Sequence, residues 1–384
     1  MLLKSDSYDF IFLGAGCASL SLLTRMLNSG HFSDKKILLI DKEIKVKNDR
    51  TWCYWEEGEG FFESIVYRKW GQVSFLSNEF SSSFNISPYQ YKMVRGIDFY
   101  NYCFKEIGKH GNVEIVYAVI DDWKFDKEVL ILHLDKEEYR LTDRNTYIFN
   151  SIYKPNESDK SSIRLLQHFK GWIIETKEPV FDPEKATLMD FRVHQDHGTT
   201  FAYTLPFSST SALVEYTLFT KETLATHLYD LELKNYLSSF HNIDEYDIKE
   251  KEYGVIPMTN EKFVFAGDAW NIGTAGGQTK ASSGYTFQFI QKQSDLILDF
   301  LINKRSLNDV PLTPRRFLFY DKTLLYLLYH NKISGSKVFS DLFRKNKVQQ
   351  VLKFLDNESS LVEELKIISS LPTWPFLKAA LKQL

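Results

Sequence analysis

The chain has 384 residues, 43% of them hydrophobic and 25% charged, which is enough to build a large core and excludes a disordered polypeptide. Its net charge of −3 excludes a chain that is basic overall and built to bind nucleic acid. Cys17, Cys53 and Cys103 are odd in number and lack CxxC spacing, so a reducing cytosol is expected and a disulfide framework is not. The first residues run straight into a strand pattern without a signal segment, and no stretch of about eighteen apolar residues offers a membrane span.

In chain order, Tyr8–Leu13 is an apolar run with the pattern of a buried strand. Ser19–Asn28 follows as a helix closed by Ser29-Gly30, and Lys36–Ile40 is a second apolar strand that ends at Asp41. Together they predict a β-α-β unit with parallel strands. Between them lies Gly14-Ala15-Gly16-Cys17-Ala18-Ser19, a GxGxxS variant of the dinucleotide fingerprint. The first glycine permits the turn, the second admits a pyrophosphate, and the helix start supplies amide donors. Asp41 stands where an acid takes a ribose hydroxyl, which favours the adenosine of FAD or NAD over a 2′-phosphate. Lys42 and Arg50 complete the cofactor residues expected on this side.

The middle of the chain is richer in strand patterns: Gln72–Leu76, Val113–Ala118, Val129–His133, Tyr147–Asn150 and Thr187–Val193, with a meander over Asp121–Leu141. Phe201–Leu205 and Ala212–Phe219 predict a hairpin in which Leu213, Glu215, Thr217 and Phe219 share a face. A carboxylate on that apolar face gains a raised pKa by desolvation and becomes a proton donor near neutral pH. Spacing alone favours the structural alternatives, an ion pair with an arginine such as Arg192 or an exposed sheet edge. His194-Gln-Asp-His197 lacks a third ligand cluster and reads as a polar turn, not a metal site.

A second glycine-rich segment precedes the helix predicted over Thr286–Leu301. Two registers compete for the Gly-Asp-Ala position of Rossmann-type flavoproteins: Gly267-Asp268-Ala269 and Gly273-Thr274-Ala275. The second is favoured, because the interval from Thr274 to Gly284 resembles the geranylgeranyl-reductase pattern. It places backbone groups of Gly273, Thr274, Ala275, Ser283, Gly284 and Tyr285 at a flavin. From Lys304 to Leu355, eleven Lys/Arg stand against three Asp, a surplus of eight positive charges that leaves −11 for the rest of the chain.

Several segments together resemble the lycopene cyclase family of carotenoid synthesis, especially bacterial β-cyclases. They are Asp49–Trp55, Gly96–Tyr100, Gln167–Trp172, Met189–Arg192, Tyr203–Phe207, Leu213–Thr217 and Gly273–Phe287, and the resemblance spans nearly the whole chain. Leu213-Val-Glu-Tyr-Thr217 resembles the Phe-Leu-Glu-Glu-Thr strand proposed to carry the family's acid, with Glu215 at the first Glu and Tyr216 at the second. The resemblance implies FAD used in its reduced form, NADPH as electron source, and ring closure of lycopene without net redox change. It also makes Trp52, Trp55, Tyr203 and Phe207 candidates for the substrate pocket, and His168 a candidate to assist proton removal.

The expected fold is α/β, an FAD-linked Rossmann-type domain of the glutathione-reductase kind interleaved with a mixed β-sheet substrate lobe and a helical C-terminal region. Residues 1–62, 96–150 and 254–302 are assigned to the first, 63–95 and 151–253 to the second, and 303–384 to the third. The basic, aromatic tail, with Arg315–Tyr320, Leu324–Tyr329, Val338-Phe339, Leu342-Phe343 and Trp374–Phe376, is expected to dock on the inner face of the cell membrane. An ordinary amphipathic lobe packed on the nucleotide domain fits the same residues. Two other functions share these motifs: a prenyl or carotenoid reductase or monooxygenase using FAD and NADPH, and a carrier that binds carotenoid or lipid without catalysis. Oligomeric state is not legible.

Overall fold

The computed structural model describes residues 3–127, 129–142, 146–156, 159–267 and 269–383. The apolar N-terminal runs become Phe10–Leu13 and Ile37–Asp41, buried at every position as expected of strands covered on both faces. They pair in parallel with each other, with Tyr147–Asn150 on one side and with Val113–Tyr117 on the other; Trp270–Asn271 completes a five-stranded sheet.

Successive side chains point to opposite faces. Phe10, Phe12, Ile37 and Leu39 therefore pack with Leu20, Leu23 and Met26 of helix Cys17–Asn28. Ile11, Leu13, Leu38 and Ile40 pack instead with Leu130, Leu132 and Leu134 of an antiparallel meander, Ile120–Asp126, Val129–Leu134 and Glu137–Thr142.

The second lobe is a seven-stranded sheet in the order Asp247–Thr259, Arg164–Glu175, Ser211–Thr220, Thr199–Pro206, Lys185–Asp190, Gln72–Leu76, Ser81–Asn85. One face, with Trp172, Val214, Tyr216 and Leu218, is covered by Tyr229, Leu233 and Leu237 of helix Thr226–His241. The other face looks toward the nucleotide lobe and the C-terminal helices. A small sheet of Thr51–Glu57, Arg68–Trp70 and Tyr89–Arg95 joins the lobes, since Tyr54 and Val94 belong to one core while Trp55, Tyr91 and Met93 belong to the other.

One boundary and the placement of the tail's aromatic residues differ from expectation. Gly254, the expected return point to the nucleotide lobe, lies within strand Asp247–Thr259 opposite Phe169, because the long partner strand Arg164–Glu175 holds the ladder unbroken past it. In the tail, Phe317, Leu325, Phe339, Leu342 and Phe343 are core residues and not surface ones. Phe343 stacks on Phe75 at 4.8 Å between ring centroids, and Phe339 on Phe191 at 5.8 Å. Exposed apolar groups of the tail are Leu312 and Leu318, then Leu361, Val362 and Leu365 and Trp374, Leu377 and Leu381 on the last two helices. Among the described residues no helix is long and apolar enough to cross a membrane.

Candidate active site

The first glycine loop leaves strand Phe10–Leu13 with Gly14 at φ +91°, where a β-carbon would lie 2.7 Å from Ser151 Oγ. Gly16 caps helix Cys17–Asn28 without any side-chain hydrogen bond, and a β-carbon there would meet nothing nearer than 4.0 Å. The helix start therefore keeps open space beside its first-turn amides, the property that suits an anion. Ala15 N–H donates to Asp41 Oδ2 at 2.6 Å, while Oδ1 takes Glu43 N–H and Lys45 Nζ. Asp41 thus braces the loop and is buried with a cation beside it. Ser19 fills the third-glycine position fully buried, its hydroxyl without a hydrogen-bond partner. Burial pushes the Cys17 thiol up to about 12. Lys42 is exposed and lies 3.9 Å from the Glu43 carboxylate.

Gly273-Thr274-Ala275 begins a 3-10 turn at the C-terminal end of strand Trp270–Asn271, the edge of the parallel sheet. Gly273 has φ +62°, and a β-carbon on it would sit 2.7 Å from that of Ala18, so the two glycine segments meet at the start of the first helix. Asp268 of the other register lies outside the described residues. One expectation changes: the amides of Ser283 and Gly284 both donate to Lys280 O, at 3.2 and 2.8 Å, and are spent on that turn. Ser283 Oγ is the buried polar atom there without a partner.

A cavity of about 260 Å³ lies between this segment and the seven-stranded sheet. Thr274, Ser283, Gly284 and Tyr285 form one wall; Arg50, Trp52 and Cys53 form another. The sheet supplies Tyr203, Leu213, Glu215 and Thr217. Leu213, Glu215 and Thr217 share a face as the alternation predicts, on a strand interior to the sheet. Neither structural alternative for Glu215 holds, since Arg192 pairs with Asp190 at 2.6 Å. Thr217 Oγ1 donates to Glu215 Oε1 at 2.8 Å.

Burial, reinforced by the charge of Glu252, holds the Glu215 carboxyl well above the usual carboxylate range. Glu252, on strand Asp247–Thr259, is raised chiefly by burial and accepts Thr51 Oγ1 at 2.7 Å. It lines the same cavity and was not singled out from the sequence, where Lys249-Glu-Lys-Glu252 resembles a solvated charge run. The signal that finds it is the period-two row Glu252, Gly254, Ile256, Met258.

The aromatic candidates separate. Trp52 and Tyr203 line the cavity, and burial raises the Tyr203 hydroxyl well above its ordinary range. Trp55 is buried edge-on against Tyr285 at 4.6 Å, and Phe207 packs on Tyr67 at 5.3 Å; both stand outside the cavity lining. His168 does not reach the site. It points to the opposite face of the sheet, fixed between Thr220 Oγ1 and Tyr229 OH at 2.6 Å each, and burial lowers its pKa to about 4.

A family model described as lycopene cyclase protein matches residues 9–381. The chain belongs to the lycopene cyclase family. No curated protein sequence matches it significantly. Among solved structures, it resembles a geranylgeranyl bacteriochlorophyll reductase-like protein from Thermoplasma acidophilum, at TM-score 0.61 and 11% identity over 98% of this chain and 99% of that one. It also resembles p-nitrophenol 4-monooxygenase from Pseudomonas putida, at 0.59 and 10% over 97% and 98%. A third is a probable FAD-dependent monooxygenase from Pseudomonas aeruginosa, at 0.56 and 12% over 85% and 98%. At these identities the likeness establishes the fold, that of reductase-like and monooxygenase flavoproteins. The open helix start at Gly16, the left-handed glycines Gly14 and Gly273, and the unpaired hydroxyls of Ser19 and Ser283 fit FAD.

Proposed function

We propose that this protein closes the ψ-ends of lycopene into β-ionone rings, giving β-carotene by way of γ-carotene. The observation that carries the reading is Glu215, a half-buried carboxyl on the cavity wall whose pKa desolvation raises toward the protonated state. Glu215 gives its proton to the terminal olefin: the carboxyl O–H bond breaks, a C–H bond forms, and a tertiary cation results. The neighbouring double bond attacks the cation and closes the ring, and loss of a ring proton leaves the β-ionone. Leu205, Leu213, Met189 and Phe169 line the cavity and keep out water that would trap the cation as an alcohol. The faces of Trp52 and Tyr203 offer cation–π stabilisation.

FAD would be held by Gly14–Ser19, Asp41 and Gly273–Ala275. Bound and reduced, with NADPH as the source of electrons, it supplies negative charge near the cation. Substrate and product are hydrocarbons of the bilayer, and exposed Trp374, Leu377 and Leu381 alternate with Lys378 and Lys382 on helix Thr373–Gln383, which supports docking on an anionic membrane surface.

The test is anaerobic incubation of the protein with FAD, NADPH and lycopene in liposomes, followed by mass and absorption analysis of the pigment. Ring-bearing products of unchanged mass are expected. Products heavier by hydrogen, or heavier by oxygen when the incubation is repeated in air, would instead establish a reductase or a monooxygenase.

A further inference from the structure

Glu215 and Glu252 stand on different strands, yet both face the same residue: Gly171 pairs with Glu215 on one side and with Glu252 on the other. Residues two strands apart are separated by roughly 10 Å at the backbone, and an ordinary side chain on the strand between would stand in the way. Here there is none. A β-carbon on Gly171 would lie 3.0 Å from both Cγ and Oε1 of Glu252 and 3.0 Å from Leu213 Cδ1, so the Glu252 side chain lies across the glycine toward Glu215. Glu252 Oε1 is buried and has no hydrogen-bond partner among the described residues, and its Oε2 is held by Thr51.

We propose that Glu252 is the second carboxylate of this site: the two glutamates share one proton across Gly171, with Glu215 as the donor and Glu252 as the anion that positions it. The wording of the Leu213–Thr217 strand, where tyrosine stands beside Glu215, conceals this second acid because it comes from a distant strand. The surrounding groups set the polarity. Arg50 is the cation facing the pair and favours an ionised Glu252, as does Thr51. The other titratable neighbours are Cys53, Tyr203 and Tyr285, with Glu250 on the strand of Glu252 itself; burial keeps Cys53, Tyr203 and Tyr285 neutral.

The assignment rests on the cyclase reading for its chemistry. Glu215 then transfers its proton to the substrate alkene, leaving two carboxylates opposite the cation. The proton released by the closed ring returns to the pair, which regains one proton and one negative charge.

Two measurements test the proposal separately from the reaction. Infrared difference titration of the protein should show a protonated carboxyl persisting above neutral pH, absent in Glu215→Gln. In Glu252→Gln the negative neighbour is gone, so that carboxyl should titrate about one pH unit or more lower, and the alkaline limb of the rate profile should move the same way. Gly171→Ala, which intrudes on Glu252 with a single methyl group, should also shift the titration. An unchanged titration in Glu252→Gln, or two ionised carboxylates in the wild type at neutral pH, would overturn it. A shared proton in a protein that makes no ring would uphold the pair while removing the cyclase reading.

Discussion

Gly273 and Ala18 approach so closely that a β-carbon on the glycine would lie 2.7 Å from that of Ala18. This contact brings the second glycine segment onto the start of the first helix, where both can address one cofactor. Gly273→Ala would also be forced to keep φ +62°. The expected cost is roughly 2 kcal/mol or more, from left-handed strain and overpacking. The variant should melt earlier and retain less flavin on a desalting column. Gly30→Ala is the control: φ +73°, but nothing within 4 Å of the added carbon, so about 1 kcal/mol is lost and flavin is kept.

His168 predicts a pH dependence of stability unconnected to catalysis. Burial lowers its folded pKa from 6.5 to about 4, so the unfolded chain binds the proton first as pH falls. The contribution is present above pH 6.5 and is lost as pH falls toward 4. Between pH 7 and 5 it amounts to about 2 kcal/mol. Urea midpoints at the two pH values should converge in His168→Gln relative to wild type, and a slope equal to that of wild type would contradict the assignment.

Exposed groups on the last helix predict membrane affinity. Trp374 is 71% exposed and Leu381 64%, so replacing them should leave the melting temperature within error. Trp374→Ala with Leu381→Ala should reduce co-sedimentation with vesicles containing phosphatidylserine. Lys378→Glu with Lys382→Glu should weaken it further at low salt, each lysine being worth about 1 kcal/mol near an anionic surface. Equal sedimentation of all variants would place the docking surface elsewhere.

How much of this was legible in the sequence depended on which interactions specified each element. Phe10–Leu13 and Ile37–Asp41 are continuous apolar runs, and the loop between them needs glycine, so local pattern sufficed. The Glu215 face was legible because Leu213, Glu215 and Thr217 alternate within one strand. Glu252 was not. Its strand opens with charged residues that mask the period-two row from Glu252 to Met258, and it owes its place to pairing along Arg164–Glu175, a tertiary constraint. The same limit applies to Phe339 and Phe343, whose apolar character fits a membrane face as well as the core they occupy; only packing on Phe191 and Phe75 decides.

The most direct test of the central claim is pigment analysis of Glu215→Gln beside wild type in a lycopene-accumulating host, with flavin content measured on the purified proteins. An amide keeps the shape of the side chain but has no acidic proton to give. The account predicts full flavin content, unchanged lycopene and no β-rings in the variant, while wild type accumulates cyclic carotenes. Near-normal cyclisation by Glu215→Gln would contradict it and move the proton donor to another group.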